Sequence, residues 1–530
     1  MKVITQNQIR MKFFIFKKPF FGVGLLLVLL LFVLATVHFV VPFVREYRSD
    51  KARQENQRKI LDGISTGPIN VKVDFASQIA IGSPLIFGGV HSPNLDQQDA
   101  WDKLEEVGVT VIRRGIFIEN EMPGNITLED YKNNVNDIQN PQKWNLKKIN
   151  ITNENYQNAQ KKGMKVMAIF AYAPAWLTYS GTTHGVPKDW DVYEDIIKKI
   201  YKLHKDNIDY IEVWNEPTLK TFLDLTNSQI SREEAYKQIY YHAYHAIREA
   251  QQELNENKNI PIGGSVGHDP NDTSILEALL KDPQTKDLLD FVSYHNYEHL
   301  PEPSWLHYQK ILSKYKKEQT PIFLTEWNYR GDEESNQDFR SGNRALTYTA
   351  DKFVEFLKMG LKMANYYVML DGNRPKIIND DPSFAFYKWA NGKAELLPQA
   401  KTWRLLSNTL GLGKGESKVV EATFGRNTSL SAIGFVNSRN EEGFIFVNKE
   451  DSINSVNIEI QNIAQRFPYL GKIPLYVYYA SPENNGSQIV ERIYLSKGDQ
   501  PTLLLPAQSV AGALIPQNPD LKDIIRSHLP

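Results

Sequence analysis

The chain has 530 residues, which is too long for one ordinary hydrophobic core, so its length predicts two or more domains. Apolar residues make up 42% of it and charged residues 23%, and the net charge is −1, which is typical of a globular protein. The chain has no long basic run, so its charge pattern does not indicate a nucleic-acid partner. The sequence has no cysteine, and this excludes disulfides, thiolate catalysis and cysteine-ligated zinc.

Residues 20–44 carry no charge and are rich in leucine near their centre. As a helix this segment would span about 37 Å, enough to cross a hydrocarbon layer of about 30 Å. The residues that follow make a poor signal-peptidase site, which favours an uncleaved membrane anchor behind an N-terminal tail at 1–19. Basic residues flank both sides equally, so charge does not decide the orientation. Residues 45–68 are predicted to form a stem.

Between residues 86 and 403, short apolar runs alternate with amphipathic stretches, which is typical of repeated βα units around a parallel sheet. The predicted strands lie at 86–90, 109–113, 165–171, 210–214, 260–265, 291–295, 322–326 and 365–370. Eight such units indicate an α/β fold of the closed (β/α)8 or TIM barrel type. An open doubly wound sheet is the alternative, but the turn after the first run lacks the glycine-rich phosphate fingerprint.

Residues 404–530 are predicted to form a second domain, because after about residue 416 the pattern changes to a period of two, with turn residues between short runs. These runs, at 418–424, 430–436, 443–448, 456–460, 474–479, 489–495 and 502–505, predict a C-terminal antiparallel β-sandwich. A similar alternating run at 69–75, within the segment 69–85, has no partner in the barrel. We expect it to pair with the C-terminal strands, which would make that domain discontinuous in sequence.

Two predicted barrel strands deliver a carboxylate at their C-terminal ends, where parallel α/β barrels carry their chemistry. The fourth strand ends in Trp-Asn-Glu-Pro at 214–217, and the seventh ends in Thr-Glu-Trp at 325–327. Glycoside cleavage uses one protonated carboxyl to protonate the leaving oxygen and one carboxylate to attack the anomeric carbon or to activate water. Glu216 and Glu326 are therefore predicted to be catalytic. The amide of Asn215 suits a hydrogen bond to a sugar hydroxyl.

No cofactor or metal site is predicted, because the histidines show no metal-ligand spacing of the His-Glu-x-x-His type.

With the His-x-Tyr at 295–297, these motifs resemble the clan A retaining glycoside hydrolases, and the chain looks most like family 39 of that clan. That family includes β-xylosidases, α-L-iduronidase and endoglycosidases that cleave exopolysaccharides. The stretches 164–176 and 505–510 support the resemblance, which covers about residues 69–515.

The resemblance implies that Glu216 is the acid/base and Glu326 the nucleophile, with their carboxyls about 5–5.5 Å apart. It also implies that Tyr297 donates a hydrogen bond to the nucleophile and that His295 lies beside the acid/base. A basic residue at the end of strand two would pair with the nucleophile and keep it ionised. Arg113 is favoured for this role, and the adjacent arginine at 114 remains the alternative.

Aromatic side chains at strand ends are predicted to bind the sugar, because aromatic faces pack against the C–H faces of sugar rings. These residues are Trp176, Trp327 and His91. Members of the clan commonly place a tryptophan at the end of strand eight, whereas the run at 365–370 contains none. Either another residue replaces it or the strand has a different register. The long segment 115–148 is expected to wall the cleft.

The sequence therefore predicts a membrane-anchored retaining glycoside hydrolase that is endo-acting on a polysaccharide or oligosaccharide outside the cytoplasm. The alternative is a non-catalytic polysaccharide-binding or secretion-accessory protein on a barrel scaffold. A transglycosylase would use the same residues as the hydrolase.

Overall fold

The computed structural model describes residues 67–257, 259–269, 271–297, 301–329, 337–372, 384–425, 428–463, 472–496 and 498–528. The predicted tail, anchor and nearly all of the stem lie outside them. Residues Thr66–Pro530 form one compact unit. Among the described residues, no helix combines the length and the apolar character that a membrane crossing requires.

The strands of this unit are β1 (Ile69–Gly82), β2 (Gly88–Val90), β3 (Val111–Phe117), β4 (Lys165–Ala171), β5 (Tyr210–Val213), β6 (Ile262–Gly267), β7 (Phe291–Asn296), β8 (Ile322–Trp327), β9 (Met363–Tyr366), β10 (Tyr387–Ala390), β11 (Lys393–Leu396), β12 (Ser417–Phe424), β13 (Ser431–Val436), β14 (Glu442–Asn448), β15 (Asn454–Gln461), β16 (Ile473–Ala480), β17 (Asn485–Leu495), β18 (Thr502–Leu505) and β19 (Ser509–Ile515).

The α-helices are α1 (Gln98–Val107), α2 (Ile118–Glu121), α3 (Leu128–Lys132), α4 (Leu146–Lys161), α5 (Trp190–His204), α6 (Arg232–Glu253), α7 (Ser274–Lys281), α8 (Pro301–Lys314), α9 (Gln337–Arg340), α10 (Ala345–Met359), α11 (Gln399–Trp403) and α12 (Leu521–Ser527).

Strands β2 to β9 form a closed barrel in chain order, and β9 pairs back with β2 in parallel. The predicted TIM barrel is therefore confirmed. Several strand boundaries differ from the prediction by a few residues. The largest differences are that β3 continues to Phe117, and that β9 begins earlier than the predicted run at 365–370 and ends at Tyr366. As a result Tyr367 follows strand eight of the barrel instead of lying within it.

The barrel is a packed core and not a pore. Side chains from five strands fill it in one cluster: Val111, Met167, Phe291, Phe323 and Met363. The surrounding helices bury one apolar face each, as α5 does with isoleucines at 196, 197 and 200. Because the interior is filled, the space for a ligand lies at the strand ends.

The remaining strands form a nine-stranded sheet in the order β17-β16-β19-β14-β13-β12-β1-β15-β18. Strand β1 lies inside it, antiparallel to β12 and parallel to β15. Apolar residues from both ends of this order, including Val477 of β16 and Leu503 of β18, share one core, so the sheet folds over on itself. The arrangement fits a β-sandwich. The sequence did not predict β19, the β10–β11 hairpin or α12.

The sheet packs onto the barrel through α10, which contacts β1, β13, β14 and β19. Most of this helix is buried, and its polar Thr347 donates a hydrogen bond to Oε1 of Gln508 at 2.9 Å. The N-terminal strand β1 therefore supports both the second sheet and its junction with the barrel.

We expect Val73→Ala to lower the free energy of unfolding by about 2 kcal/mol, because Val73 is fully buried between two partner strands. The adjacent Lys72 is exposed, so Lys72→Ala should change it by less than about 0.5 kcal/mol. Urea unfolding of both variants measures the difference, and equal losses would contradict the interior position of β1.

Candidate active site

Arg113 is the residue on which the candidate site converges. It lies in β3 and is fully buried. Its Nε donates to Oε2 of Glu212 at 2.7 Å, its Nη1 to Oε1 of Glu326 at 2.6 Å, and its Nη2 to Oδ1 of Asn215 at 2.9 Å. One guanidinium therefore connects β3 with residues of β8 and of the β5 strand and its exit.

The charge of Arg113 is stabilised by its partners. Burial acts to lower the pKa of the guanidinium, but the carboxylates of Glu212 and Glu326 outweigh it and raise that pKa above its ordinary value. The neighbouring Arg114 instead donates to the backbone oxygen and hydroxyl of Ser92. Of the two arginines, Arg113 is the one that pairs with Glu326.

Glu326 also accepts a hydrogen bond on its second oxygen. The hydroxyl of Tyr297 donates to Oε2 at 2.7 Å, and Nδ1 of His295 lies 3.5 Å from the same oxygen. Burial raises the pKa of Tyr297 well above its ordinary value, and the charge of Glu326 adds to this. Tyr297 therefore remains a hydrogen-bond donor. Glu326 is therefore held by a cation on one oxygen and by a phenol on the other.

Glu216 is positioned by an irregular exit from β5. Trp214 and Glu216 have φ angles of 71° and 42°, in the left-handed region that large side chains rarely adopt. The buried Trp214 fixes this turn by donating from Nε1 to the backbone oxygen of Phe222 at 2.6 Å. Consecutive strand residues normally point to opposite faces. Here the turn directs both Asn215 and Glu216 to the barrel mouth.

Two imidazoles contact the same oxygen of Glu216. Nδ1 of His295 lies 2.7 Å from Oε1, and Nδ1 of His268 lies 2.9 Å from it. Burial opposes the charge of Glu216, but the hydrogen bonds from His268 and His295 outweigh it and lower the pKa of this carboxyl. Neither imidazole contacts Oε2, which leaves that oxygen to meet a substrate.

The two carboxyls are close together. Glu216, His295 and Glu326 each place one donor atom within 4.8 Å of the others. Retaining glycosidases have carboxyls about 5–5.5 Å apart, and inverting ones about 6.5–9.5 Å. A cation among these three donors would have to compete with Arg113 and Tyr297 for Glu326. The spacing fits a retaining pair of carboxyls.

A β-bulge in β8 aligns Glu326 with its partners. Tyr294 pairs with Leu324, but the next residue, His295, pairs with Glu326, so Thr325 is an extra residue on β8. Bulges at barrel rims often redirect a side chain next to an active site. This bulge places Glu326 opposite His295.

The structure does not bring Trp327 to the mouth. Its indole stacks on Trp403 at 6.2 Å between centroids and contacts Phe356 edge-on at 5.1 Å, and the residue is 2% exposed. It follows Glu326 on the strand and points outward, toward α10 and α11. The expectation that Trp327 contacts substrate is therefore not supported, because the side chain belongs to the core outside the barrel.

Tyr367 directly follows β9, the eighth strand of the barrel. Its ring is 6.0 Å from that of Tyr297 and 6.1 Å from that of His91, which follows β2. His91 and Tyr367 thus line the side of the mouth next to Glu326. Tyr367 adds an aromatic ring to that side of the mouth.

Trp176 lies on a different side of the mouth, after β4. Its ring stacks on Tyr131 at 5.4 Å, and it borders an open groove that includes Leu128 and Lys132. Helices α2 and α3 of the segment 115–148 form this side of the mouth. Glu119 links the segment to the loop after β4, because its Oε2 accepts from the backbone N–H of Ala175 at 2.8 Å. Trp176 is not among the residues that contact the two carboxyls.

Three residues of the site were missed in the sequence. Glu212 interrupts the apolar β5 run, and a charge inside a buried strand signals a buried partner. His268 follows β6, the fifth strand of the barrel, and its position at a strand end was the signal that could have identified it as a site residue. Tyr172, which follows β4, packs its ring 5.0 Å from Trp214 and 4.2 Å from His184. In the sequence, the only signal for Tyr172 was that an aromatic residue lies near a strand end.

No family model matches the chain, and no curated protein matches it. Among solved structures, it is similar to a glucosidase from Croceicoccus marinus, with 14% identity, 85% of this chain and 99% of the other covered, and a TM-score of 0.63.

A xylanase of glycoside hydrolase family 30, subfamily 8, from Clostridium acetobutylicum is 15% identical, with 84% and 99% coverage and a TM-score of 0.58. A monomeric β-xylosidase from Caulobacter crescentus is 14% identical, with 84% and 99% coverage and a TM-score of 0.58. At these identities the similarity establishes the fold, a barrel with a second sheet domain. It does not single out family 39.

We expect Glu212→Gln to lower the free energy of unfolding by about 3 kcal/mol, because it removes a fully buried carboxylate that compensates Arg113. Glu249→Gln is the matched control: this carboxylate pairs with Lys198 at 2.8 Å, but its side chain is 55% exposed. The control should change by less than about 0.5 kcal/mol. Denaturant unfolding measures both, and a Glu212→Gln loss as small as the control's would contradict the role of the buried pair.

Proposed function

We propose that this protein is a retaining glycoside hydrolase that cleaves O-glycosidic bonds, with Glu326 as the nucleophile and Glu216 as the acid/base. The observation that carries the proposal is the pair of carboxyls at the barrel mouth, with oxygens within 4.8 Å of each other and different partners. Glu326 is held by Arg113 and Tyr297, which suits a carboxylate nucleophile. Glu216 is held by imidazoles, which suits a group that exchanges a proton.

In the first step Glu326 attacks the anomeric carbon while Glu216 protonates the leaving oxygen, which gives a covalent glycosyl-enzyme. Arg113 and Tyr297 hold the nucleophile in place until its negative charge passes into the new bond. The carbonyl oxygen of Asn215 accepts from Arg113 and its NH2 group also interacts with the hydroxyl of Tyr172, so the second N–H of that group can donate to a sugar hydroxyl.

In the second step Glu216 removes a proton from water, and the resulting hydroxyl attacks the anomeric carbon. Glu326 leaves as a carboxylate and is again stabilised by Arg113 and Tyr297. Because each step inverts the anomeric centre, the product keeps the configuration of the substrate.

We further propose that the enzyme is endo-acting, that it cleaves a polysaccharide, and that it is most like the enzymes of family 39. Aromatic surface beyond the carboxyls supports a polymeric substrate: Phe117 is 45% exposed and lies 6.5 Å from Tyr172, and a groove borders Trp176. The uncharged segment 20–44 supports a membrane anchor with the catalytic unit outside the cytoplasm, where a polysaccharide would be met.

We expect Glu326→Ala to lower kcat on aryl glycosides and polysaccharides by about 10⁴-fold, because the nucleophile is lost. Azide should restore turnover of an activated aryl glycoside and give a glycosyl azide of inverted configuration, since the small anion attacks once from the side that Glu326 occupied. NMR of the product reads the configuration. Glu249→Ala, on the exposed surface, is the control. If wild type and Glu326→Ala are equally inert and both bind glycan, a polysaccharide-binding or secretion-accessory function is favoured.

Replacing the acid should separate substrates by leaving group. Glu216→Ala should slow glycosides with poor leaving groups by about 10²–10⁴-fold, but activated aryl glycosides much less in the first step, because these need little protonation. Comparing kcat/KM for a series of aryl leaving groups tests this. Equal losses across the series would show that the roles of the two glutamates are assigned wrongly.

A further inference from the structure

His268 lies just after β6 and adds a second imidazole to Glu216. We propose that His268 is a positioning residue that stores the proton of the general acid and passes it to Glu216 Oε1 when the leaving oxygen is protonated. This inference rests on the proposed function, because it concerns the acid step of the same site.

The geometry fixes His268 against the acid. Its Nδ1 lies 2.9 Å from Oε1 of Glu216, and its backbone N–H donates to the hydroxyl of Thr218 at 3.3 Å. Thr218 follows Glu216 in the loop after β5. The imidazole and the carboxyl are therefore held together by two contacts between the same segments, within direct proton-transfer distance.

The two imidazoles at Glu216 differ in their access to water. His295 is fully buried, and within the described part of the chain its Nε2 has no hydrogen-bond partner. A second proton on His295 would bury an N–H group without an acceptor. The side chain of His268 is 47% exposed, so its other nitrogen can be solvated. His268 is thus the imidazole suited to carrying a transferable proton.

The charges around His268 favour its protonated form. Glu216 faces it from the loop after β5, His295 from β7, Glu326 from β8, and Asp269 from its own segment. The hydrogen bond to Glu216 raises the pKa of His268, burial opposes this, and the other carboxylates add to the increase. The same contact lowers the pKa of Glu216. The proposal therefore places the one proton of the resting pair on Nδ1 of His268, 2.9 Å from the carboxylate of Glu216, as an ion pair.

This ion pair contains the same number of protons as a neutral imidazole beside a protonated Glu216. In the acid step, the Nδ1–H bond of His268 breaks as an O–H bond forms at Oε1 of Glu216. The carboxyl group then rotates so that this O–H faces the leaving oxygen, and Glu216 gives it the proton. His268 is then neutral. In the second step water gives a proton to Glu216, which returns it to His268, and the hydroxyl oxygen bonds to the anomeric carbon. No oxidant or reductant takes part.

His268→Asn tests the proposal, because its amide keeps a donor near the position of Nδ1 but has no proton to transfer. In the wild type, His268 and Glu216 share one proton and lose it at a higher pH than Glu216 would without His268. The form that can protonate the leaving oxygen therefore persists to higher pH. We expect the basic limb of kcat/KM to move to lower pH by about one unit or more in the variant. At a pH above the variant's limb, poor leaving groups should slow by about tenfold and activated ones much less.

His242→Asn is the matched control. His242 lies on α6, outside the site, and its Nδ1 contacts Oε1 of Glu194 at 2.6 Å, so it is also an imidazole beside a carboxylate. It should leave the pH profile unchanged. A basic limb that does not move in His268→Asn, or a loss independent of the leaving group, would overturn the proposal and assign His268 a structural role.

A second measurement does not depend on turnover. NMR titration of the imidazole nitrogens in full-length protein should give a lower apparent pKa for His268 in Glu216→Gln than in the wild type. If this decrease is found but no glycoside is cleaved, the proposed function fails and the shared proton stands. If the titration of His268 is the same in both proteins, the inference is overturned whatever the activity.

Discussion

The buried guanidinium of Arg113 is the interaction on which the mouth of this barrel depends. Arg113 is fully buried on β3. Its guanidinium contacts Glu212 on β5, Asn215 just after β5, and Glu326 on β8. A buried charge is tolerated only with well-placed partners, and removing one of them leaves an uncompensated charge. The requirement to keep Arg113 paired therefore fixes the carboxyl of Glu326 and the amide of Asn215 before any substrate arrives. Such preorganisation is how an active site stabilises a transition state without reorganising.

Local irregularities in the backbone complete the arrangement. The left-handed residues at the exit of β5 direct the consecutive side chains of Asn215 and Glu216 to the same side, and the bulge at Thr325 aligns Glu326 with His295. Regular strands would place only alternate residues at the mouth. The two glutamates then acquire different surroundings, a cation and a phenol for Glu326 and two imidazoles for Glu216. Different surroundings are what allow two identical carboxyls to perform opposite steps.

The sequence predicted the barrel because the apolar runs and amphipathic stretches alternate regularly, and it predicted Glu216 and Glu326 because each follows such a run. It could not predict the direction of side chains where regular alternation ends. Trp327 was expected at the mouth, but it follows Glu326 on the opposite face of β8 and lies in the core. The contact of His268 with Glu216 joins two strand exits, and no local pattern encodes that contact. Tyr367 was assigned to the interior of strand eight because the boundary of β9 was predicted too late.

The most direct test of the account is covalent trapping of the nucleophile. The protein would be incubated with a panel of 2-deoxy-2-fluoro glycosyl fluorides, which form the glycosyl-enzyme but release it slowly, and then digested and analysed by mass spectrometry. The account predicts that one peptide gains the mass of the fluorosugar and that fragmentation places it on Glu326. An adduct on Glu216 or on any other residue, or active turnover of a glycoside without a glycosyl adduct, would contradict it.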